Sequence, residues 1–411
     1  MSYLKFDKTV MINLEESLTR EVLRTNRLGA YHSSTVVDCN TRKYHGLLVM
    51  PVPALDDDNH VLLSSLDETV IQHGAEFNLG LHKYGENNFS PKGHKYIREY
   101  TCDTVPRTVY RVGGVIFSKE KVFSMFENRI MIKYTLEDAH SATTLRFRPF
   151  LAFRSVKELT YANGNLNQNY TVVPNGIKMC LYPGYPELFM QFSKKVNFVF
   201  DPKWYYGIEY SKEQERGYPY KEDLFVPGYF EVPIRKGETI VFSAGDSQVA
   251  TTRLKTLYET EVSVRTPRTS FYNCLKNSAQ QFYFRPKKQD AYLLAGYPWF
   301  KVRARDLFLA APGCTLSIDD PVRFEKIMAT ALPALRAFME DGALDPVIQE
   351  IEQPDVILWA IWAIQQYAKV VGIDKAKELY KDFIDEALEY IISQKHPGLK
   401  VMDSGLLFAD G

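Results

Sequence analysis

The 411-residue chain changes its hydrophobic period partway along, and this change limits it to two differently built parts. Over roughly 2–261, apolar residues recur largely at every second position between turn dipeptides, as strands with one buried face require. Val196, Phe198 and Phe200 follow that rule and predict such a face. Gly113-Gly114, set between Val109-Tyr-Arg-Val112 and Val115-Ile-Phe117, predicts a hairpin. Asn163-Gly164, Asn175-Gly176 and Lys236-Gly237 are further turn signals. So many short strands separated by frequent turns predict an antiparallel β-sandwich of two sheets.

After about Val262 a polar bridge, Arg265-Thr-Pro-Arg-Thr-Ser270, reads as a linker, and the period then lengthens. Ala376, Leu379, Tyr380, Phe383, Ile384, Ala387, Leu388 and Ile391 recur mostly at three- and four-residue steps and line one helix face. The pattern predicts helices over 274–282, 305–311, 321–339, 355–371 and 374–394. Asp320 before Pro321 is a cap followed by a first-turn proline, Asp374 is placed to cap the last helix, and Pro333 should end or kink its own. The expected division is a sandwich at 1–262, a linker at 263–272 and a helical domain at 273–411. No internal repeat is visible.

Two domains also suit the length, and 45% hydrophobic with 13% aromatic residues can fill two cores. Fifty Lys+Arg against fifty Asp+Glu leave a formal net charge of zero, which gives nucleic acid no electrostatic footprint and favours a neutral substrate. No apolar run approaches the ~20 residues of a membrane span, and the start lacks a signal-type apolar core. Five scattered cysteines without a Cys-x-x-Cys pair suggest reduced thiols, a cytoplasmic setting and no zinc site. No metal or organic cofactor is implied.

The chemistry-bearing residues gather at Leu294-Ala-Gly-Tyr-Pro-Trp-Phe-Lys-Val-Arg-Ala-Arg-Asp306, just ahead of an apolar run. A pocket for a terminal glucose needs a fixed carboxylate, an arginine to hold it or to donate to a hydroxyl, and an aromatic wall. Asp306, Arg305 and Trp299 supply these types within eight positions, with Tyr297 as a second wall. The plainer alternative makes Arg305 and Asp306 a surface ion pair and Trp299 a core residue. Asp355, ahead of an apolar run, is either a helix cap or a pocket carboxylate, and both roles are compatible.

These segments resemble bacterial and archaeal glycogen debranching enzymes of the amylo-α-1,6-glucosidase type. Ala295-Gly-Tyr-Pro-Trp-Phe300 is similar to the family's Ala-Gly-Tyr-x-Trp-Phe, while Arg303-Ala304 replace the Trp-Gly of its Trp-Gly-Arg-Asp and leave Arg305-Asp306 in place. Asp355-Val-Ile-Leu-Trp359 is similar to its Asp-x-x-Leu-Trp. Asn26-Arg-Leu-Gly-Ala-Tyr31 and Asn40-Thr-Arg-Lys-Tyr-His-Gly-Leu-Leu48 resemble its Asn-x-Leu-Gly-Gly-Tyr and Asn-Thr-Arg-x-Tyr-His-Gly-Leu-Leu. Further likenesses at 147–154, 204–210 and 223–228 extend the match from about Arg24 to the end.

The resemblance implies a sandwich followed by the first helices of an incomplete (α/α)6 toroid, and a hydrolase of α-1,6 branch stubs, inverting in type. It implies substrate binding, not catalysis, for Arg305 and Asp306, with Trp299, Tyr297 and Asp355 lining the pocket. Arg42, Tyr44 and His45 would project towards the neighbouring domain or the pocket; for His45 the alternative is a satisfied buried histidine. The implied partners are α-glucans: glycogen, limit dextrin or maltooligosaccharide. Inverting hydrolysis needs two carboxyl groups about 6.5 to 9.5 Å apart, and in relatives the acid follows a run that Asp403-Ser-Gly-Leu-Leu-Phe-Ala-Asp-Gly411 resembles. Both catalytic carboxylates are therefore expected beyond Gly411, and a twelve-helix ring would lack partners here unless the chain is part of a longer one or self-associates. Rival readings are a disaccharide phosphorylase or other α-glucan enzyme of the same plan, and a glucan-binding protein without turnover.

Overall fold

The computed structural model describes residues 3–86 and 88–410, so Ser2, where the period-two region begins, lies outside the described residues. The chain divides into two compact units, Met1–Asn277 and Ser278–Gly411.

The first unit is built on two large antiparallel sheets. One runs in the order Lys5–Asp7, Ile97–Cys102, Pro106–Val112, Val115–Phe123, Arg129–Asp138, Thr239–Gly245, Leu188–Phe192, Gly176–Met179, Tyr170–Val173. The other runs Asn197–Glu209, Lys221–Ile234, Thr143–Ser155, Asn59–Gln72, Gly46–Pro51, Tyr31–Thr35, Glu21–Thr25, with Ala75–Asn78 attached to Asn59–Gln72. Their inner faces meet in one core. Tyr134 of the first sheet lies 4.9 Å from Phe147 of the second, and Phe192 lies 5.1 Å from Phe230. Each ring is sealed from water, a burial contributing on the order of 1.5–3 kcal/mol.

Turn chemistry places the strands. Val112 pairs with Val115 across Gly113-Gly114, whose φ values of 55° and 79° suit a tight hairpin that side chains would strain. Lys236-Gly237 also turns, but it carries the chain from one sheet to the other. Asn163-Gly164 joins no hairpin; it lies in the connection between Thr143–Ser155 and Tyr170–Val173. The predicted face at Val196, Phe198 and Phe200 is only partly covered, and Phe200 is exposed. Asn197–Glu209 is an edge strand, so alternation there meets the core on one flank only. The period-two region also hides a helix, Leu254–Ser263, which packs Leu254 and Tyr258 on the outside of the first sheet against Val122, Met131 and Val241.

Charged groups hold parts of this core. Glu68 accepts both contacts of the Lys119 ammonium at 3.0 Å and the Tyr134 hydroxyl at 2.7 Å. Glu222, fully buried, takes a two-pronged grip from Arg154, the Tyr210 hydroxyl and the Thr160 amide. Such pairs cost several kcal/mol to desolvate and hold only while every partner is present.

Beyond Phe271–Gln280, which crosses the boundary between the units, the second unit is helical: Ala304–Cys314, Pro321–Asp341, Val356–Val371 and Ile373–Ile392. Leu307, Phe308, Met328, Leu335, Ile364, Tyr367 and Phe383 share its core. Asp320 caps its helix by accepting from the Arg323 amide at 2.9 Å with Pro321 in the first turn, as the sequence predicts. Pro333 does not end the helix. It lies on the exposed side of the continuous segment Pro321–Asp341, while Met328, Ala331, Leu332 and Leu335 anchor the other side. Asp374 is not the cap either: Gly372, at φ 101°, both ends one helix and starts the next, and Asp374 sits in the first turn. A left-handed joint of one residue needs glycine.

Candidate functional site

In the second unit the loop at 295–301 is closed by backbone bonds from Ala295 N to Lys301 O and from Phe300 N to Gly296 O. It presents Trp299 and Phe300 to solvent at 49% and 45% exposure, which removes the reading of Trp299 as core. Tyr297 is half-buried against the helical core, its ring 6.2 Å from Phe282. The short strand Val302–Arg303 then pairs in parallel with Ile348–Gln349 and aims the chain into the Ala304–Cys314 helix. Arg303, standing where the family pattern has tryptophan, lies over the Phe300 ring at 4.9 Å and pairs with Glu350 at 2.7 Å.

Arg305 and Asp306 occupy the first turn of that helix and do not pair with each other. Successive helix positions point about 100° apart, so adjacent side chains diverge. Arg305 instead grips Asp355 with two prongs, Nε to Oδ2 at 2.7 Å and Nη2 to Oδ1 at 2.9 Å. Asp355 also accepts the Trp359 indole N–H at 3.0 Å, and Trp359 meets Trp362 edge-on at 5.6 Å. Asp355 stands at the start of Val356–Val371, yet its carboxylate makes no cap bond. Both its oxygens are already engaged by Arg305 and Trp359. The sequence alternatives therefore resolve towards a side-chain tie between two helix starts.

Asp306 differs. Its half-buried carboxylate has no hydrogen bond or ion pair among the described residues, and it sits where the helix N-terminus favours a negative charge. Among the described residues Asp306 thus keeps its accepting capacity, while Arg305 and Asp355 are engaged with each other. Trp359 and Trp362 escaped the candidate set drawn from sequence, although the four-residue step from Asp355 to Trp359 was the available signal.

In the first unit, Arg42, Tyr44 and His45 stand immediately before the Gly46–Pro51 strand. Arg42 Nε contacts Glu21 at 2.6 Å and its guanidinium lies 5.6 Å from the Tyr44 ring. His45 is fully buried, accepts the Thr41 amide at Nδ1 and lies 3.7 Å from Glu21. Burial pushes His45 below the usual histidine range, with Glu21 opposing. Burial would raise Glu21, but His45 and Arg42 outweigh it and hold the carboxyl at about 2. Arg42, which stays partly exposed, and the buried His45 thus both face Glu21 of the same unit. Among the described residues no group of three His, Cys, Asp or Glu could hold a metal ion, and no helix is long and apolar enough to cross a membrane.

The first unit is thus two-sheeted and the second helical, with Asp355 braced by Arg305 at a helix start and Trp299 and Phe300 exposed on a loop of the same unit. Residues 20–241 match the family model for the glycogen debranching enzyme N terminal, and residues 276–411 match that for amylo-alpha-1,6-glucosidase. The chain belongs to the glycogen debranching enzyme family. No curated protein gives a significant match. Among solved structures it is similar to a bacterial glucoamylase complexed with acarbose, at 11% identity and a TM-score of 0.42, over 96% of this chain and 59% of that one. The chain thus spans about three fifths of that glucoamylase.

Proposed function

We propose that the chain is the substrate-holding portion of a glycoside hydrolase that removes α-1,6-linked glucose stubs from glycogen or a related α-glucan, its helical unit forming the first part of an (α/α)6 toroid. Asp306 accepts hydrogen bonds from two hydroxyls of the terminal glucose. Arg305, fixed by Asp355, keeps the helix start in place and turns its remaining N–H towards the sugar. Trp299 and Tyr297 offer ring faces to the apolar side of the pyranose. The partner is a neutral glucan, in keeping with the balanced charge, and none of these residues is assigned the bond-breaking step. The likeness to inverting enzymes makes inversion the expected stereochemical course.

The observation that carries this reading is a half-buried carboxylate with no partner among the described residues, in the same turn as the Arg305 that ties Asp355 and Trp359, inside the stretch that matches amylo-alpha-1,6-glucosidase. The test is Asp306→Asn in the full-length enzyme. A charged hydrogen bond to substrate is worth about 1.5–3 kcal/mol, so glucose binding and release from a branched limit dextrin should fall roughly 10- to 100-fold. Unchanged kinetics in a folded variant, or no glucose release by the intact wild-type enzyme, would overturn it.

A further inference from the structure

The sandwich unit has a second place with the chemistry of a sugar site. Along Asn59–Gln72, Glu68 points into the core, where it meets Lys119 and Tyr134, so Asp67 points to the outside of its sheet. Along Thr143–Ser155, Phe147 is a core residue, so Arg148 faces outward too, directly opposite Asp67 in the register. Between them opens a cavity of about 270 Å³ whose lining includes Tyr84, Phe150, Tyr205 and His82. Ligand clefts begin near ~300 Å³, so this one suits a single ring-sized guest rather than a long polymer segment.

Its polar groups are placed but not used up. Asp67 is fixed by His82 Nε2 at 2.9 and 3.0 Å, which leaves most of its lone pairs free. Gly80 makes room for it: a Cβ there would come within 2.2 Å of the carboxylate. Arg148 makes no ion pair among the described residues. Its polar contact is a long one, 3.4 Å to the Thr69 hydroxyl, and its guanidinium lies 5.4 Å from the Tyr229 ring. Tyr205 packs on Phe150 at 4.7 Å, and neither its hydroxyl nor that of Tyr84 bonds a described residue.

Charge decides the class of guest. The other carboxylates of the lining are already paired, Glu68 with Lys119 at 3.0 Å and Glu76 with Arg146 at 2.7 Å. Asp67 and Arg148 therefore set the balance: an anion meets a carboxylate and a cation meets a guanidinium, whereas a neutral polyol finds an acceptor and a five-donor fork side by side. Tyrosine rings beside that pair match the mixed polar and apolar faces of a pyranose.

We propose that this cavity on the outer face of the eight-stranded sheet binds one glucosyl unit of an α-glucan, gripped between Arg148 and Asp67 and packed against Tyr84 and Tyr205. It is a holding site that does no chemistry. The choice of glucan rests on the functional reading above; the preference for a neutral saccharide rests on the cavity alone.

The test is hydrogen exchange by mass spectrometry on the full chain with maltose or maltotriose, read in peptides covering 143–155 and 197–209. Saccharide should slow exchange there in wild type and in Asp306→Asn, with apparent affinity falling at least tenfold in Arg148→Gln. Tyr205→Ser serves as the second variant, each variant being checked by an unchanged thermal midpoint. No protection in those strands at saturating saccharide, or equal affinity in the folded variants, overturns the site. Failure of the catalytic reading shows elsewhere, as absent glucose release from limit dextrin while the sandwich strands remain protected.

Discussion

In the sandwich unit Arg154 commits its guanidinium to a Glu222 that no water reaches, whereas in the helical unit Arg305 holds Asp355 near the surface and the adjacent Asp306 has no partner among the described residues. The same two residue types do different work because their surroundings differ. Inside the sandwich, desolvation makes full pairing a condition of folding. At the helix starts water is close, so a carboxylate can be left open at little cost and kept available for a ligand. Polar groups that are completely satisfied report on stability, and a half-buried one left unsatisfied is where a function is best sought.

Three substitutions test that contrast. Arg154→Met strands the Glu222 carboxylate and should destabilise the sandwich unit by about 3–5 kcal/mol in urea unfolding. A loss under about 1 kcal/mol would show that the pair is not the constraint its burial implies. Asp355→Ala should lower stability by only about 1 kcal/mol, but it frees Arg305 and removes the acceptor of the Trp359 N–H. Tryptophan emission should therefore change and glucose affinity drop, and a silent emission spectrum would break the proposed brace.

The smallest effect concerns pH. Glu21 has its folded value near 2, below its ordinary 4.5, so its contribution is complete above about 4.5 and is lost as pH falls through about 2. His45 is held below its ordinary 6.5, so protons bind the unfolded chain more readily and stability declines on acidification from that point. Glu21→Gln should remove the lower part of this slope at a cost below about 1 kcal/mol at neutral pH, because Glu21 is partly exposed. An unaltered acid-unfolding curve would show that Glu21 is not the titrating group.

Much of the fold was legible because it rests on local rules. Gly113-Gly114 turns the chain in any context that needs a hairpin, and Asp320-Pro321 starts a helix by the same kind of chemistry. The failures lay where distant parts decide. Phe200 alternates correctly but sits on an edge strand, and strand order is not written in any one segment. Pro333 breaks an isolated helix, yet the buried residues around it carry this one through. At the candidate site, Arg305, Asp306 and Asp355 were all visible as residue types, but Arg305 chooses a partner fifty positions away over its neighbour. Only the meeting of two helix starts reveals that choice. The Asp67–Arg148 cavity had no linear signature, since its walls come from strands far apart in the chain.

The switch between sheets at Lys236-Gly237 has a mechanical result. Four residues, 235–238, separate Ile234 in one sheet from Thr239 in the other, and four more, 139–142, separate Asp138 from Thr143. The first of these links is bonded back onto the strand Arg129–Asp138, Gly237 N to Leu136 O at 2.7 Å and Leu136 N to Glu238 O at 3.2 Å. Four intervening residues make about five Cα–Cα steps and reach at most about 18 Å, against the ~10 Å between packed sheets. Near these links the layers can part by only about 8 Å before strand pairing must tear, so the two leaves of strands should yield together instead of peeling apart one by one.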